Sequence, residues 1–293
     1  MSISAAIANA VSGLTAASRG TEIVSTNIAN SQTEGYARRE LELSSRLYER
    51  GGGVVINGID RIVNAGLLAD SRLSQAQLGA SDTIAQFHRA MENVVGTATD
   101  ASSLGGSLTA FNAALTNAAA RPDSDVRLSA VVDTATALAN KINKIADDVQ
   151  IARTDAERTI ANDVSRLNSA LERVASLNKQ IAALSAQGKD ASSQMDARQA
   201  AIDSISEIVP LKQVPRDNGQ VALFTTGGGI LLDGTKPASI EFNPAGPISP
   251  GMSLAAGTLS NLRFNGKELT VSQQATMFAK GTISASFAVR DEI

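Results

Sequence analysis

The sequence predicts a mainly α chain with a β-rich part: an elongated antiparallel helical bundle, led by an N-terminal heptad helix and followed by a small C-terminal β-rich domain. Three observations predict it. Apolar residues in the first thirty positions, and again from Leu128 to Leu184, recur in steps of three and four. Asp123 to Gln187 contains neither Pro nor Gly. From Ile208 onward, six prolines and the pairs Asn218-Gly219, Asp233-Gly234 and Asn265-Gly266 cut the chain into short runs. The expected division is residues 1–35 for the heptad helix, 36–207 for the bundle, 208–272 for the β-rich part and 273–293 for the start of a returning segment.

In the first element, Ile3, Ile7, Ala10, Leu14, Ala17, Thr21, Val24 and Ile28 occupy the a and d positions of a coiled-coil seam. Half of these are Ala, Thr or Val, so the seam is thin. An isolated helix of this length is marginal in water without tertiary support. The segment therefore reads as a helix that needs a partner, and Met1 to Asn30 is expected to pack loosely in an isolated chain. Asn27 and Asn30 tolerate the left-handed conformation and Gly35 adopts positive φ without steric cost, so 30–35 reads as a helix exit and turn. Beyond it Leu41 and Leu43 alternate with Glu40 and Glu42, which predicts a short extended segment with one face covered. Arg38 and Arg39 have two readings: guanidinium groups that meet carboxylates across an interface, or solvated charges balanced by Glu40 and Glu42.

A second helix is expected from about Ile62 to Val95, with Ala69, Leu73, Ala76, Ala80, Phe87, Met91 and Val94 on one stripe, and a third from Leu104 to Ala120. The uninterrupted stretch from Asp123 to Gln187 keeps three-four steps from Leu128 to Ala156, changes to four-four at Ile160 and Val164, then resumes to Leu184. Such a stutter locally unwinds a supercoil. Unbroken, the helix would be about 95 Å long at about 1.5 Å per residue, and a break is expected, if anywhere, near Arg153 to Arg158. Leu211 to Thr270 reads as a β-rich domain or insertion, its boundary near Glu207 to Pro215.

Composition narrows the chemistry. The 293 residues include no Trp, two Tyr and seven Phe, so the core must be aliphatic. A net charge of −3, with 26 basic residues spread along the chain, leaves no electrostatic footprint for nucleic acid. There is no Cys, hence no disulfide or thiolate site, and the single His88 gives no zinc site. The triplets Gly51-Gly52-Gly53 and Gly227-Gly228-Gly229 lack the lysine and helix start of a phosphate loop. Asp147 and Asp148 sit among basic neighbours on the long helix and read as a solvated face. No catalytic, cofactor-binding or metal residues are assigned. No secretory signal pattern and no membrane-spanning run is present in the sequence.

Leu14, Ser25, Asn27-Ile28-Ala29-Asn30, Thr33, Gly35-Tyr36 and Arg38-Arg39 together resemble the N-terminal signature of bacterial flagellar axial proteins of the rod, hook and hook-associated group. Three further stretches resemble the hook-associated branch: Gly53-Val54-Val55-Ile56 with Ile59-Asp60-Arg61; Leu104 to Arg127 with Phe111, Leu115 and Pro122-Asp123; and Leu167 to Ile202 with Leu177-Asn178, Ile181, Asp196 and Arg198. The resemblance implies a structural, non-enzymatic component of the flagellum that joins hook to filament by subunit packing, without a cofactor. It implies assembly contacts at Ile3, Ile7, Leu14, Val24, Asn27, Ile28, Asn30, Thr33, Gly35, Tyr36, Arg38 and Arg39. The implied partners are further copies of the chain and neighbouring axial proteins, namely the hook protein and a second junction protein. An export chaperone and the type III export apparatus are also implied, with an extracellular destination and no membrane insertion. Relatives carry a second heptad helix at the C-terminus, and the residues from Arg290 to Ile293 resemble the start of one, so a truncated product is expected. Another axial protein of the hook or rod, or a secreted helical binding or effector protein with the same export signature, are the alternative readings.

Overall fold

The computed structural model describes residues 3–33, 35–46, 52–97 and 100–291. Met1, Gly51, Glu292 and Ile293, each part of an expectation above, lie outside the described residues. The chain is mainly helical, with three small antiparallel sheets among the described residues, and it divides into two compact units: 1–75 with 166–239, and 76–165 with 240–293. The first unit thus joins the N-terminal segment to the first β-rich stretch. The second takes in the remaining strands, so the stretch read as one β-rich part is divided between the units.

In the first unit, α1 (Ile3–Ala29) is followed by the hairpin of β1 (Arg39–Ser45) and β2 (Val54–Arg61). The opening turns of α2 (Ala65–Val95), begun by Asn64 Oδ1 accepting from Leu67 N–H at 3.0 Å, also belong here. The last turns of the long helix α4 (Asp125–Ala186) and α5 (Ser192–Asp203) carry the core together with the sheet of β3 (Leu211–Pro215), β4 (Val221–Thr225), β5 (Ile230–Asp233) and β6 (Lys236–Pro237). Leu167, Leu171, Val174, Ile181, Leu223 and Leu232 are buried in that core. The fully buried Asn178 of α4 is satisfied by it: Nδ2 donates to Val221 O at 2.8 Å and Gly234 O at 2.6 Å, and Oδ1 accepts from Val221 N–H at 3.2 Å and Arg198 Nη1 at 2.8 Å. A buried amide is tolerated only when its hydrogen bonds are made, and here they also set where the sheet sits on α4.

In the second unit, α3 (Leu104–Ala120) starts at Ser103, whose Oγ accepts from Gly106 N–H at 2.9 Å as an N-cap. The first two thirds of α4 are joined by β7 (Ile240–Glu241), β8 (Arg263–Phe264), β9 (Lys267–Glu268), α6 (Val271–Met277) and α7 (Thr282–Asp291). Thr270 opens α6 with a reciprocal capping box to Gln273. Ile160, Leu262, Phe278, Ile283 and Phe287 form the core, with Phe242 edge-on to Phe287 and Phe264 edge-on to Phe278.

Of the two readings of the long helix the unbroken one holds: α4 is continuous from Asp125 to Ala186, with no break near Arg153 to Arg158. At the stutter, packing takes over from heptad geometry. Arg153 donates to Arg290 O at 2.7 Å and Met252 O at 2.7 Å, while Ala156 and Glu157 are buried. Upstream, Val126, Leu128, Val132, Ile142 and Ile151 remain exposed, so the buried stripe of α4 begins only where α7 and the preceding loop meet it. His88 is exposed on α2, and Asp148 pairs with Lys144 on an open face at 3.1 Å. Among the described residues no group of three or more His, Cys, Asp or Glu side chains is placed to hold a metal ion, and no helix is long and apolar enough to cross a membrane.

Candidate functional site

The segment from Ser25 to Arg39 closes around one amide. Asn27, in the last turn of α1, accepts at Oδ1 from the Tyr36 hydroxyl at 2.8 Å and from Arg39 N–H at 3.0 Å, and donates from Nδ2 to Arg39 O at 2.8 Å. The Asn amide accepts twice at its oxygen while donating from its nitrogen, and its short arm reaches the backbone twelve residues away. Neither Asn27 nor Asn30 is left-handed. The helix instead exits through hydrogen bonds of Asn30 Nδ2 to Thr26 O (3.0 Å) and Thr33 Oγ1 to Asn30 Oδ1 (3.2 Å), and the positive φ of 79° falls on Gly35. A Cβ at Gly35 would also meet Ala200 Cβ at 3.4 Å, so the turn lies directly on α5.

Asp196 of α5 holds this turn down. Its Oδ1 accepts from Arg61 Nε at 2.5 Å and from Ala37 N–H at 3.2 Å, and its Oδ2 accepts from Arg39 Nη2 at 2.9 Å. Arg61 also donates to Gln199 Oε1 at 2.5 Å, and the Arg39 guanidinium stacks 4.9 Å from the centre of the Tyr36 ring. All three charged side chains are at least four-fifths buried, so the interactions are shielded from screening by salt. Accepting from two guanidiniums and a backbone amide, Asp196 acts as a clamp. A shallow cavity of about 360 Å³ beside it is lined by Thr26, Asn30, Thr33, Tyr36, Arg39 and Ala200, among others.

The assigned assembly residues thus separate into two sets. Asn27, Asn30, Thr33, Gly35, Tyr36 and Arg39 are brought together at the clamp. Ile3, Ile7, Leu14, Val24 and Ile28 are not: they are 81, 58, 72, 56 and 70 % exposed. The face of α1 that touches the β1–β2 hairpin is instead a mixed one, mostly small and polar with Ile23 as its large aliphatic residue. It contains Ala16 and Ile23, both buried, with Asn27 and with Ser12, whose Oγ accepts from Val54 N–H at 3.1 Å. Ala16, Ile23 and Asn27 lie one position before Ala17, Val24 and Ile28 of the aliphatic seam, and the two stripes are centred roughly 140° apart on a helix of about 3.6 residues per turn. Arg38 and Arg39, read together from sequence, part company. Arg38 pairs with Glu40 at the surface while Arg39 is drawn inward to Asp196. Asp196, Arg61 and Gln199 were given no role from sequence. The only signal was that Arg61 and Asp196 lie in the stretches that carry the family resemblance.

The profile of the flagellar hook-associated protein FlgK helical domain matches residues 88–293, and that of the flagella basal body rod protein matches residues 7–36. Flagellar hook-associated protein 1 of Salmonella typhimurium is 25 % identical over 251 residues, covering 83 % of this chain and 45 % of that protein. The protein of the same name from Bacillus subtilis is 27 % identical over 220 residues, covering 71 % and 43 %, and that from Escherichia coli 24 % over 277 residues, covering 91 % and 50 %. The chain spans about half the length of these relatives. The solved structure of the flagellar hook junction protein FlgK from Burkholderia pseudomallei superposes with a TM-score of 0.60 at 19 % identity, over 76 % of this chain and 38 % of that one, a likeness of fold. With the helical-domain profile spanning most of its length and the rod signature folded around Asn27, this chain belongs to the flagellar hook-associated protein FlgK family.

Proposed function

We propose that the chain is a structural element of the bacterial flagellum that acts at the junction of hook and filament, outside the cell, by subunit packing and without catalysis. One observation carries this reading: the aliphatic seam of α1 faces solvent while the helix is anchored by a different face, that of Ser12, Ala16, Ile23 and Asn27. Burying a Leu or Ile side chain stabilises by roughly 1.5–3 kcal/mol. Five such residues represent on the order of 10 kcal/mol of unrealised burial, enough to offset a substantial part of the cost of association. The occupants suited to this stripe are apolar helical faces of further copies and of neighbouring axial proteins, the hook protein and a second junction protein. The clamp at Asp196 holds the turn that follows α1 against α5. Passage through a type III export apparatus, with an export chaperone, is the route that family membership supports.

The test is localisation. A tagged chain is expressed in a flagellated cell lacking its own junction protein, and isolated flagella are examined for the tag at the hook end of the filament. Leu14→Glu is expected to abolish incorporation while leaving the thermal midpoint of the purified chain unchanged, because Leu14 makes little use of its apolar surface within the chain. Undiminished incorporation of Leu14→Glu would overturn the role assigned to the stripe.

A further inference from the structure

Within the first unit lies a second cavity, of about 600 Å³, bounded by the start of α2, by α5 and by β3. Its apolar lining includes Leu68, Leu73, Met195 and Ile202, and it also carries Arg61, Arg72, Arg198 and Lys212. The charges do not cancel. Arg61 is matched by Asp196 and Arg72 by Asp203 at 2.6 Å, which leaves Arg198 and Lys212 against the exposed Asp70. Arg198 is 8 % exposed and donates only to the neutral acceptors Asn178 Oδ1 and Gly219 O, with no ion pair among the described residues. Burial, reinforced by the Arg61 charge, pulls its pKa down to about 10. Arg72 is 4 % exposed, and its Nη2 has no hydrogen-bond partner among the described residues. A buried guanidinium without a carboxylate is costly, and a site that retains one favours an anion.

The third wall supplies direction. Among the described residues β3 is an edge strand, paired only with β4. The bonds from Thr226 N–H to Pro210 O and from Arg216 N–H to Gln220 O flank the pairing, so by alternation Lys212 and Val214 bond to β4. The N–H and C=O groups of Leu211 and Gln213 therefore point away from β4, and both residues line the cavity. An unpaired edge is a template for an added strand.

We propose that this groove docks an extended acidic segment of a partner protein. The segment adds to the free edge of β3, sets apolar side chains against Leu68 and Leu73, and places a carboxylate between Arg198 and Arg72. The site is separate from the α1 stripe and does not depend on the junction reading.

The test is titration of the full chain, labelled with ¹⁵N, with a blocked pentapeptide alternating Val and Glu. Saturable binding is expected, with shifts in the Arg198 and Arg72 side-chain Nε–H signals and in the Leu211 and Gln213 amides. Replacing Glu by Gln in the peptide should weaken binding about tenfold, and Lys212→Glu, a surface change that leaves the fold untouched, should weaken it several-fold. Arg198→Met should abolish the Glu-over-Gln preference. Three results would each overturn the proposal: no saturable binding, equal binding of the Gln peptide, or free glutarate binding as tightly as the peptide without shifts along β3.

Discussion

Arg290 Nη1 donates to Glu157 Oε2 at 3.0 Å where both side chains are sealed from water. The pair ties α7 to α4, and each partner is otherwise satisfied. Glu157 Oε1 accepts from Ala245 N–H at 2.8 Å, while Arg290 donates to Ser260 O and to Asp291 and packs against the Phe287 and Phe242 rings. Five separate points of the second unit therefore converge on one buried charge. Such an arrangement fixes a unique packing more than it adds net stability, because desolvation consumes much of the Coulomb gain.

Removing one partner exposes that balance. Glu157→Gln is expected to destabilise the chain by about 3 kcal/mol, since it leaves a buried guanidinium with a single carboxylate. Urea unfolding followed by circular dichroism measures it. A midpoint within error of the parent would show that Asp291 alone satisfies Arg290.

Asp196→Asn should release the signature turn without unfolding the second unit. Two largely buried guanidiniums lose their common carboxylate, so amide exchange across 36–39 and at the end of α1 should accelerate by at least about tenfold, the effect of about 1.4 kcal/mol. Exchange in α6 and α7 should not change. Acceleration spread evenly over the chain would contradict a local clamp.

The Asn27 amide and the Tyr36 hydroxyl can be ranked. Asn27→Ala removes three hydrogen bonds and leaves the Arg39 backbone groups to find water, which should cost about 2–3 kcal/mol, whereas Tyr36→Phe removes one and should cost about 1 kcal/mol. Thermal unfolding of both variants gives the order, and a larger loss for Tyr36→Phe would place the hub elsewhere.

Gly53→Ala tests how closely α1 sits on the hairpin. Gly53 has φ of 114°, and an added Cβ would lie 3.0 Å from Ser12 Oγ and 3.1 Å from Asn9 Oδ1. Backbone strain and crowding together should destabilise by about 1–3 kcal/mol. Loss of exchange protection in the first half of α1 is the expected signature, and unchanged protection there would mean that α1 does not lean on Gly53.

Much of the helical layout was legible because it rests on local rules. The limits of α3 are those read from Leu104 and Ala120, and α4 ends within two residues of the bounds set by Pro122 and Gly188. The turn at Gly35 was legible for the same reason, a positive φ being a property of one residue. The role of Asn27 was not. Its amide could serve a local cap or a distant backbone, and the choice depends on Arg39 being drawn inward by Asp196, whose position is fixed more than 150 residues later.

By itself the sequence determined the mainly helical class, the places where helices stop, the aliphatic seam of α1 and the family signature, all carried by spacing and by the conformational limits of single residues. Tertiary structure alone decided which face of α1 meets the protein and which meets solvent, because the hydrogen bonds of Ser12 to Val54 and of Asn27 to Arg39 fix the helix on the hairpin by that face. It alone decided that α4 runs unbroken through its stutter, since Arg153 and Glu157 are held by α7 and the preceding loop. And it alone assembled the Asp196 clamp and the Arg198 groove, because charges far apart in the chain acquire their meaning only when burial removes the water between them.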